Sequence, residues 1–153
     1  MPFPIFKPTY FMETLPLHLR GRRAVVIGRR QPPLHMVAGA DFGSMVAAAF
    51  QTPEAAGREL FVHGPEAVTI PDALRLYCSI VAPGTSVTTV PLPVMAAADR
   101  WFTGGGLRRT VALMRLLGRV GELGDASEAD RILGAPTTSL LQWCRQQAAR
   151  RAS

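Results

Sequence analysis

Three histidines, two cysteines and one lysine are the side chains of this 153-residue chain best suited to chemistry, and their spacing limits what each could do. His18, His35 and His63 share no H-x-x-x-H or H-E-x-x-H spacing, so no helix turn pairs them around a zinc ion, and no metal site is expected. His35, inside PLHMV, reads first as a partly buried structural histidine and second as a ligand contact. Cys78 and Cys144 sit in the helix-like stretches LRLYCSIV and LLQWCRQQ, the setting of two buried thiols in a reducing compartment rather than of reactive nucleophiles. No G-x-S-x-G elbow is present for serine-based hydrolysis. No residue is assigned a catalytic role on this basis.

The elements that would position these groups alternate in type. FPIFK at 3–7 reads as a short strand ending at Pro8, followed by a short helix to about Leu19 that Pro16 bends or interrupts. AVVIG (24–28) and PLHMV (33–37) suggest a β-hairpin or an extended arm. DFGSMVAAAFQ (41–51) has helical spacing with Asp41 as N-cap, and Thr52-Pro53 starts a short turn of helix that stops at Gly57. ELFVH (59–63) is a strand. TIPDALRLYCSIVA (69–82) opens on the capping box Thr69-x-x-Asp72 and aligns Ile70, Ala73, Leu74, Tyr77, Cys78 and Val81 on one face. SVTTVP (86–91) is a further strand.

The last third reads as helices in PVMAAADRWF, LRRTVALMRLLGRV, ASEADRIL and TSLLQWCRQQAARR, with Asp125 and Glu128 as a capping box and Thr138 as an N-cap. The string is α/β with a helical tail. FPIFK and ELFVH look like fully buried parallel strands, which need several neighbours and helices on both faces. The sheet therefore reads as incomplete, a few short strands with a helical C-terminal tail.

Composition narrows the classes. The length suits one domain, 1–153, and an apolar fraction of 48% with 18% charged residues excludes disorder. The net charge is +6, and six basic residues (Lys7, Arg20, Arg22, Arg23, Arg29, Arg30) precede position 31 against the single acid Glu13. No aromatic residues are interleaved with those arginines, so a solvated loop is the commoner reading and nucleic acid is not an expected partner. MPFPIFKPTY lacks the charged and apolar regions of a secretory signal, and no apolar run is long enough to span a membrane. A cytoplasmic location and no membrane partner are expected.

The stretches FKPTYFMETLP, PLHMVAGADFGSMVAAAFQTPEAAGRELFVHGPEAVTIPDALRLY and ILGAPTTSLLQW resemble the C-terminal half of an NmrA-like, atypical short-chain dehydrogenase/reductase of the NAD-dependent epimerase/dehydratase group. The likeness runs from Phe3 to about Trp143. It rests on the Lys7-Pro8-Thr9-Tyr10 turn after a late Rossmann strand, on the H-x-V-x-x-x-D segment His35, Val37 and Asp41, and on the G-P-E-x-x-T turn Gly64, Pro65, Glu66 and Thr69.

The resemblance implies that Pro8, Thr9 and Tyr10 lie beside the nicotinamide of NAD(P), at the C-terminal edge of the sheet. It implies that Phe11, Met12 and His35 face a small-molecule substrate, although core packing is the commoner role for Phe11, Met12, Trp101 and Phe102. The strand at 3–7 would be the sixth of a Rossmann sheet whose first five strands lie outside the chain.

The family's glycine-rich phosphate turn is missing, and Gly104-Gly105-Gly106 reads as an interhelical turn. The Tyr-x-x-x-Lys pair of the classical branch is also missing: Tyr10 is followed four residues on by Thr14, Tyr77 by Val81, and Lys7 precedes both. The expectation is thus the substrate-side portion of an oxidoreductase or redox-sensor-like protein, inactive alone, whose partner is a missing N-terminal half. Two alternatives are an interaction module that associates through the exposed strand, with itself or another chain, and a small-molecule carrier.

Overall fold

The computed structural model describes residues 2–28, 32–91, 93–94 and 122–152. The helices expected in PVMAAADRWF and LRRTVALMRLLGRV, and the Gly104-Gly105-Gly106 turn, lie almost wholly outside the described residues. The architecture is α/β, with strands β1 (Ile5–Pro8), β2 (Tyr10–Phe11), β3 (Leu19–Arg20), β4 (Arg23–Ile27), β5 (Leu34–Val37), β6 (Glu59–Val62), β7 (Ala67–Val68) and β8 (Ser86–Val90). Among the described residues they are accompanied by helices α1 (Gly39–Ala49), α2 (Ile70–Val81), α3 (Ser127–Leu133) and α4 (Leu140–Ala152).

The strands form three small sheets among the described residues. β1 pairs with β6 in parallel, Ile5 opposite Glu59 and Pro8 opposite Val62. β5 lies between β2 (parallel) and β7 (antiparallel), and β4 between β3 (antiparallel) and β8 (parallel). The expected hairpin between 24–28 and 33–37 does not form: β4 and β5 belong to different sheets. Each strand finds a better partner elsewhere. β4 turns Ala24 and Val26, both fully buried, onto the core, and Gly28, at φ +96°, closes its pairing by donating to Val90 O at 2.9 Å.

β1 corrects a second expectation, because it is not fully buried. Ile5 is 46% exposed, Phe3 just before it 73%, and only β6 pairs with β1 among the described residues. From Met12 to His18 the chain runs as a 3-10 helix rather than an α-helix. Pro16 lies inside it and has no N–H for the helical ladder, yet Met12 and Leu15 are fully buried.

α2 is the best specified element. Thr69 Oγ1 accepts from the Asp72 N–H at 3.3 Å, the N-cap half of the expected capping box, and donates to Asp72 Oδ2 at 2.6 Å, so the carboxylate holds the Thr69 hydroxyl rather than its backbone N–H. Ile70, Ala73, Leu74, Tyr77, Cys78 and Val81 are all buried, the face the spacing defines. They pack with Leu140, Trp143 and Cys144 of α4, and Tyr77 and Trp143 meet with ring centroids 5.9 Å apart. Arg151 completes the pair, donating to Val81 O at the end of α2 and to the Tyr77 hydroxyl, each at 3.2 Å. Burial of each large apolar side chain here contributes roughly 1.5–3 kcal/mol. A second cluster, Val37, Met45, Ala55, Leu60, Val62 and Ala129, fills the space between β6, α1 and α3.

Other helix ends are capped from a distance. Ala38, not Asp41, is the N-cap of α1, and Gly39 N–H is taken by Glu13 Oε1 at 3.0 Å. Asp41 instead accepts from Thr137 N, Thr138 N and Thr138 Oγ1 at 2.7–2.8 Å, which pins the segment leading into α4. Ser139, rather than Thr138, caps α4 through its Oγ, and Glu66 Oε1 takes the Leu140 N–H at 2.6 Å. The expected Asp125/Glu128 box does not form either: Asp125 holds Ser127 N and Oγ, while Glu128 pairs with Arg58.

Candidate functional site

β1 and β2 are one chain segment that changes partner at Thr9. Thr9 N–H donates to Val62 O at 3.2 Å on the β6 side, and its hydroxyl donates to His35 O at 2.6 Å on the β5 side. Gly64 closes the fork from the opposite direction, its N–H donating to the same His35 carbonyl at 3.0 Å. A Cβ on Gly64 would lie 1.8 Å from Met36 O, so only glycine lets the backbones approach this closely. The C-terminal ends of β1 and β6 therefore meet the start of β5 at one point.

Of the residues expected in a site, the fork brings together Pro8, Thr9, Tyr10 and His35. Tyr10 Oη lies 3.0 Å from His18 Nε2, and His18 Nδ1 lies 3.0 Å from Val25 O. A carbonyl can only accept, so Nδ1 carries the proton and the Tyr10 hydroxyl donates to Nε2. Phe11 is half-buried and packs edge-to-face on Phe42, centroids 5.2 Å apart. Met12 is fully buried in the main core, where it packs. Lys7 is engaged elsewhere, 2.5 Å from Glu59 and 5.3 Å from the Phe61 ring centroid. Trp101 and Phe102 lie outside the described residues.

An open cleft of about 330 Å³ adjoins the fork, lined in part by His35, His63, Gly64, Asp125 and Asp130. Glu122, ahead of α3, reaches back to β5: Oε1 accepts from His35 N–H at 2.6 Å and Oε2 from His35 Nδ1 at 2.5 Å. His63 Nδ1 is 4.0 Å from the same Oε2, and the two imidazoles stack with centroids 5.6 Å apart and planes 12° apart. The three side chains are brought together by the sheet fork and the segment ahead of α3, and no linear motif records that. Glu122 escaped the sequence reading because an isolated glutamate in GELGD carries no signal of its own.

Electrostatics separate this cleft from the rest of the chain. Burial raises the pKa of Asp130, partly offset by His63, and Asp130 Oδ1 is buried with no hydrogen-bond partner among the described residues. Asp125 is pushed the other way, chiefly by the hydrogen bonds from Ser127. Cys78 and Cys144 are free and buried; burial raises both thiols, Cys144 to about 11 with Cys78 adding to the shift. Both shifts favour the protonated thiol over the thiolate.

No family model matches the chain, and no curated protein matches it in sequence. Solved structures do match in fold. An NADPH-dependent quinone oxidoreductase from Escherichia coli superposes with a TM-score of 0.63 at 17% identity, over 90% of this chain and 52% of its own. A nucleoside-diphosphate-sugar epimerase from Staphylococcus aureus gives 0.66 at 13%, over 95% and 52%. A UDP-glucuronic acid 4-epimerase from Bacillus cereus, in complex with NAD, gives 0.61 at 13%, over 97% and 42%. The fold is thus the Rossmann-like α/β fold of NAD(P)-dependent reductase- and epimerase-type proteins, and the chain spans about half the length of these structures. Among the described residues, no helix is long and apolar enough to cross a membrane.

Proposed function

We propose that this chain is the substrate-side portion of an NmrA-like NAD(P)-binding oxidoreductase or redox-sensor-like protein, with the glycine-rich phosphate-binding half supplied by other residues or by another chain. The observation that carries the reading is the fork itself. Pro8, Thr9 and Tyr10 lie where a parallel strand pair ends, and in open α/β sheets ligands bind outside the carboxyl ends of the strands. On this reading the turn flanks the nicotinamide, and His35 and Phe11 border the substrate. The Tyr10 hydroxyl is held by His18 and Lys7 by Glu59, which supports the reading that neither serves as the acid/base pair of the classical branch and that the chain alone has little activity.

Titration of the purified chain with NAD(P)H, followed by fluorescence and by saturation-transfer NMR, tests this. The expected result is weak, millimolar binding in which the nicotinamide protons, rather than the adenine protons, receive saturation, and in which Tyr10→Ala abolishes the transfer. Saturation confined to the adenine, or indifference to Tyr10→Ala, overturns the assignment of the turn. Micromolar binding overturns the placement of the phosphate site outside this chain.

A second reading is favoured by the exposure of Ile5 on β1 and of Phe3 just before it, and by the pairing of β1 along one edge only among the described residues. Such an edge adds a strand from a partner or from a second copy. Light scattering on the same sample tests it: self-association that Ile5→Lys abolishes supports it, and a monomer at all concentrations does not.

A further inference from the structure

His35 on β5, His63 just after β6 and Glu122 ahead of α3 converge at the cleft, with one ligand-type atom of each lying within 4.8 Å of the other two. All three residues are half-buried, their side chains 37%, 16% and 17% exposed respectively. We propose that they form a binding site for a divalent transition-metal ion of the zinc type.

Two imidazoles and a carboxylate are the ligand set of a three-residue zinc site, and imidazole favours zinc, cobalt or nickel over magnesium and calcium. The hydrogen bonds orient the donors. His63 Nε2 lies 3.4 Å from Leu123 O, which only accepts, so Nε2 carries a proton and in the neutral imidazole the Nδ1 lone pair lies on the Glu122 side. Glu122 is in turn held by the His35 backbone N–H, the kind of outer contact that fixes a metal ligand's orientation.

The distances fit an ion with small adjustments. Two zinc bonds of about 2.0–2.2 Å at a tetrahedral angle place ligand atoms roughly 3.4 Å apart. His63 Nδ1 and Glu122 Oε2, at 4.0 Å, close slightly. His35 Nδ1 and the same oxygen, at 2.5 Å across a shared proton, open as the ion replaces that proton. The Nδ1 proton leaves to solvent, and the ring binds the ion through Nδ1 in its Nε2–H form.

The surroundings favour a cation as well. Asp125 and Asp130 line the same cleft, and the buried Asp130 Oδ1 has no donor among the described residues. Three protein ligands leave a fourth coordination position open to the cleft. The site stands on these side chains alone and does not depend on the cofactor reading.

Calorimetric titration of the full 153-residue chain with Zn(II), paired with Co(II) absorption, tests the site. One ion per chain is expected, with micromolar or tighter affinity. Changes in outer ligand contacts alone cost about 10–100-fold in metal affinity, so Glu122→Gln and His63→Ala should each weaken binding by at least about tenfold. Circular dichroism checks that the variants fold, and Glu122→Gln, which preserves side-chain shape, carries the test if His63→Ala does not fold. Absence of saturable binding below millimolar Zn(II), or affinity unchanged in a folded variant, overturns the proposal. Thiolate-to-cobalt charge-transfer bands also overturn it, because they would place the ion on Cys78 or Cys144.

Discussion

The α2–α4 pair and the fork at Thr9 bury their contacts by opposite means. The helix pair is held by one periodic apolar face, six buried positions of α2 against Leu140, Trp143 and Cys144. The fork is held by single backbone atoms shared among segments far apart in sequence: His35 O alone receives both the Thr9 hydroxyl and the Gly64 N–H. An interface made of many interchangeable dispersion contacts loses stability gradually when one is removed. A junction built on one carbonyl and one close backbone approach has no such reserve.

Gly64→Ala should therefore be the most damaging single change. Its Cβ would meet the Met36 carbonyl at 1.8 Å, and backbone on both sides leaves nothing flexible to yield. The loss should exceed the roughly 1–3 kcal/mol of ordinary overpacking, read as a collapse of the thermal transition. If Gly64→Ala melts within a few degrees of the parent, the fork is pliable and the contrast fails. In the helix pair, Leu74→Ala removes a fully buried side chain and should cost about 2–5 kcal/mol in denaturant unfolding, with the fold retained.

The same contrast explains what could be read in advance. The six-residue face and the cap of α2, and the strands FPIFK, ELFVH and SVTTVP, were legible because periodicity and capping are local. The partners of β4 and β5 were not, since an apolar run states that it will be buried but not against which strand. Asp41, Asp125 and Thr138 were misassigned for a related reason. Each sits where a cap is expected, but Thr137 and Thr138 occupy the Asp41 carboxylate, Ser127 occupies that of Asp125, and Ser139 Oγ takes the Gln142 N–H in place of Thr138. Pro8, Thr9, Tyr10 and His35 were singled out through family resemblance, and the fold brings them to one fork. The His35–His63–Glu122 cluster required the fold, because its spacing in the chain encodes nothing.

The cleft beside the fork also carries an unfavourable contact that the helix pair lacks. The Asp130 carboxyl has its pKa raised by burial, and Oδ1 has no partner among the described residues. Leaving a buried polar atom unpaired costs about 1–3 kcal/mol. Asp130→Asn removes the charge at nearly constant shape and should stabilise the metal-free chain by about 1 kcal/mol, the low end of that range. The measurement is chemical denaturation at neutral pH in the presence of a chelator. An unchanged or lower midpoint would mean that the carboxylate is satisfied, and that the fork region holds no stored cost.

The smallest effect belongs to the helix pair and has a pH signature. Thr69→Ala removes the hydroxyl that caps α2 and should cost about 0.5–1 kcal/mol at neutral pH. The Thr69 hydrogen bond is also the main reason the Asp72 carboxyl lies below its ordinary value of 3.8, with Arg75 adding to the shift. A carboxylate whose folded pKa lies below its unfolded one stabilises the fold above the unfolded value, and that contribution is lost as pH falls through the folded one. The gap between parent and variant should thus be full at neutral pH and narrow on acidification below about pH 4. It should not vanish, because Thr69 Oγ1 still accepts from the Asp72 N–H when the carboxyl is protonated. A gap independent of pH would assign the whole effect to that backbone bond and leave the Asp72 carboxylate without a part in holding α2.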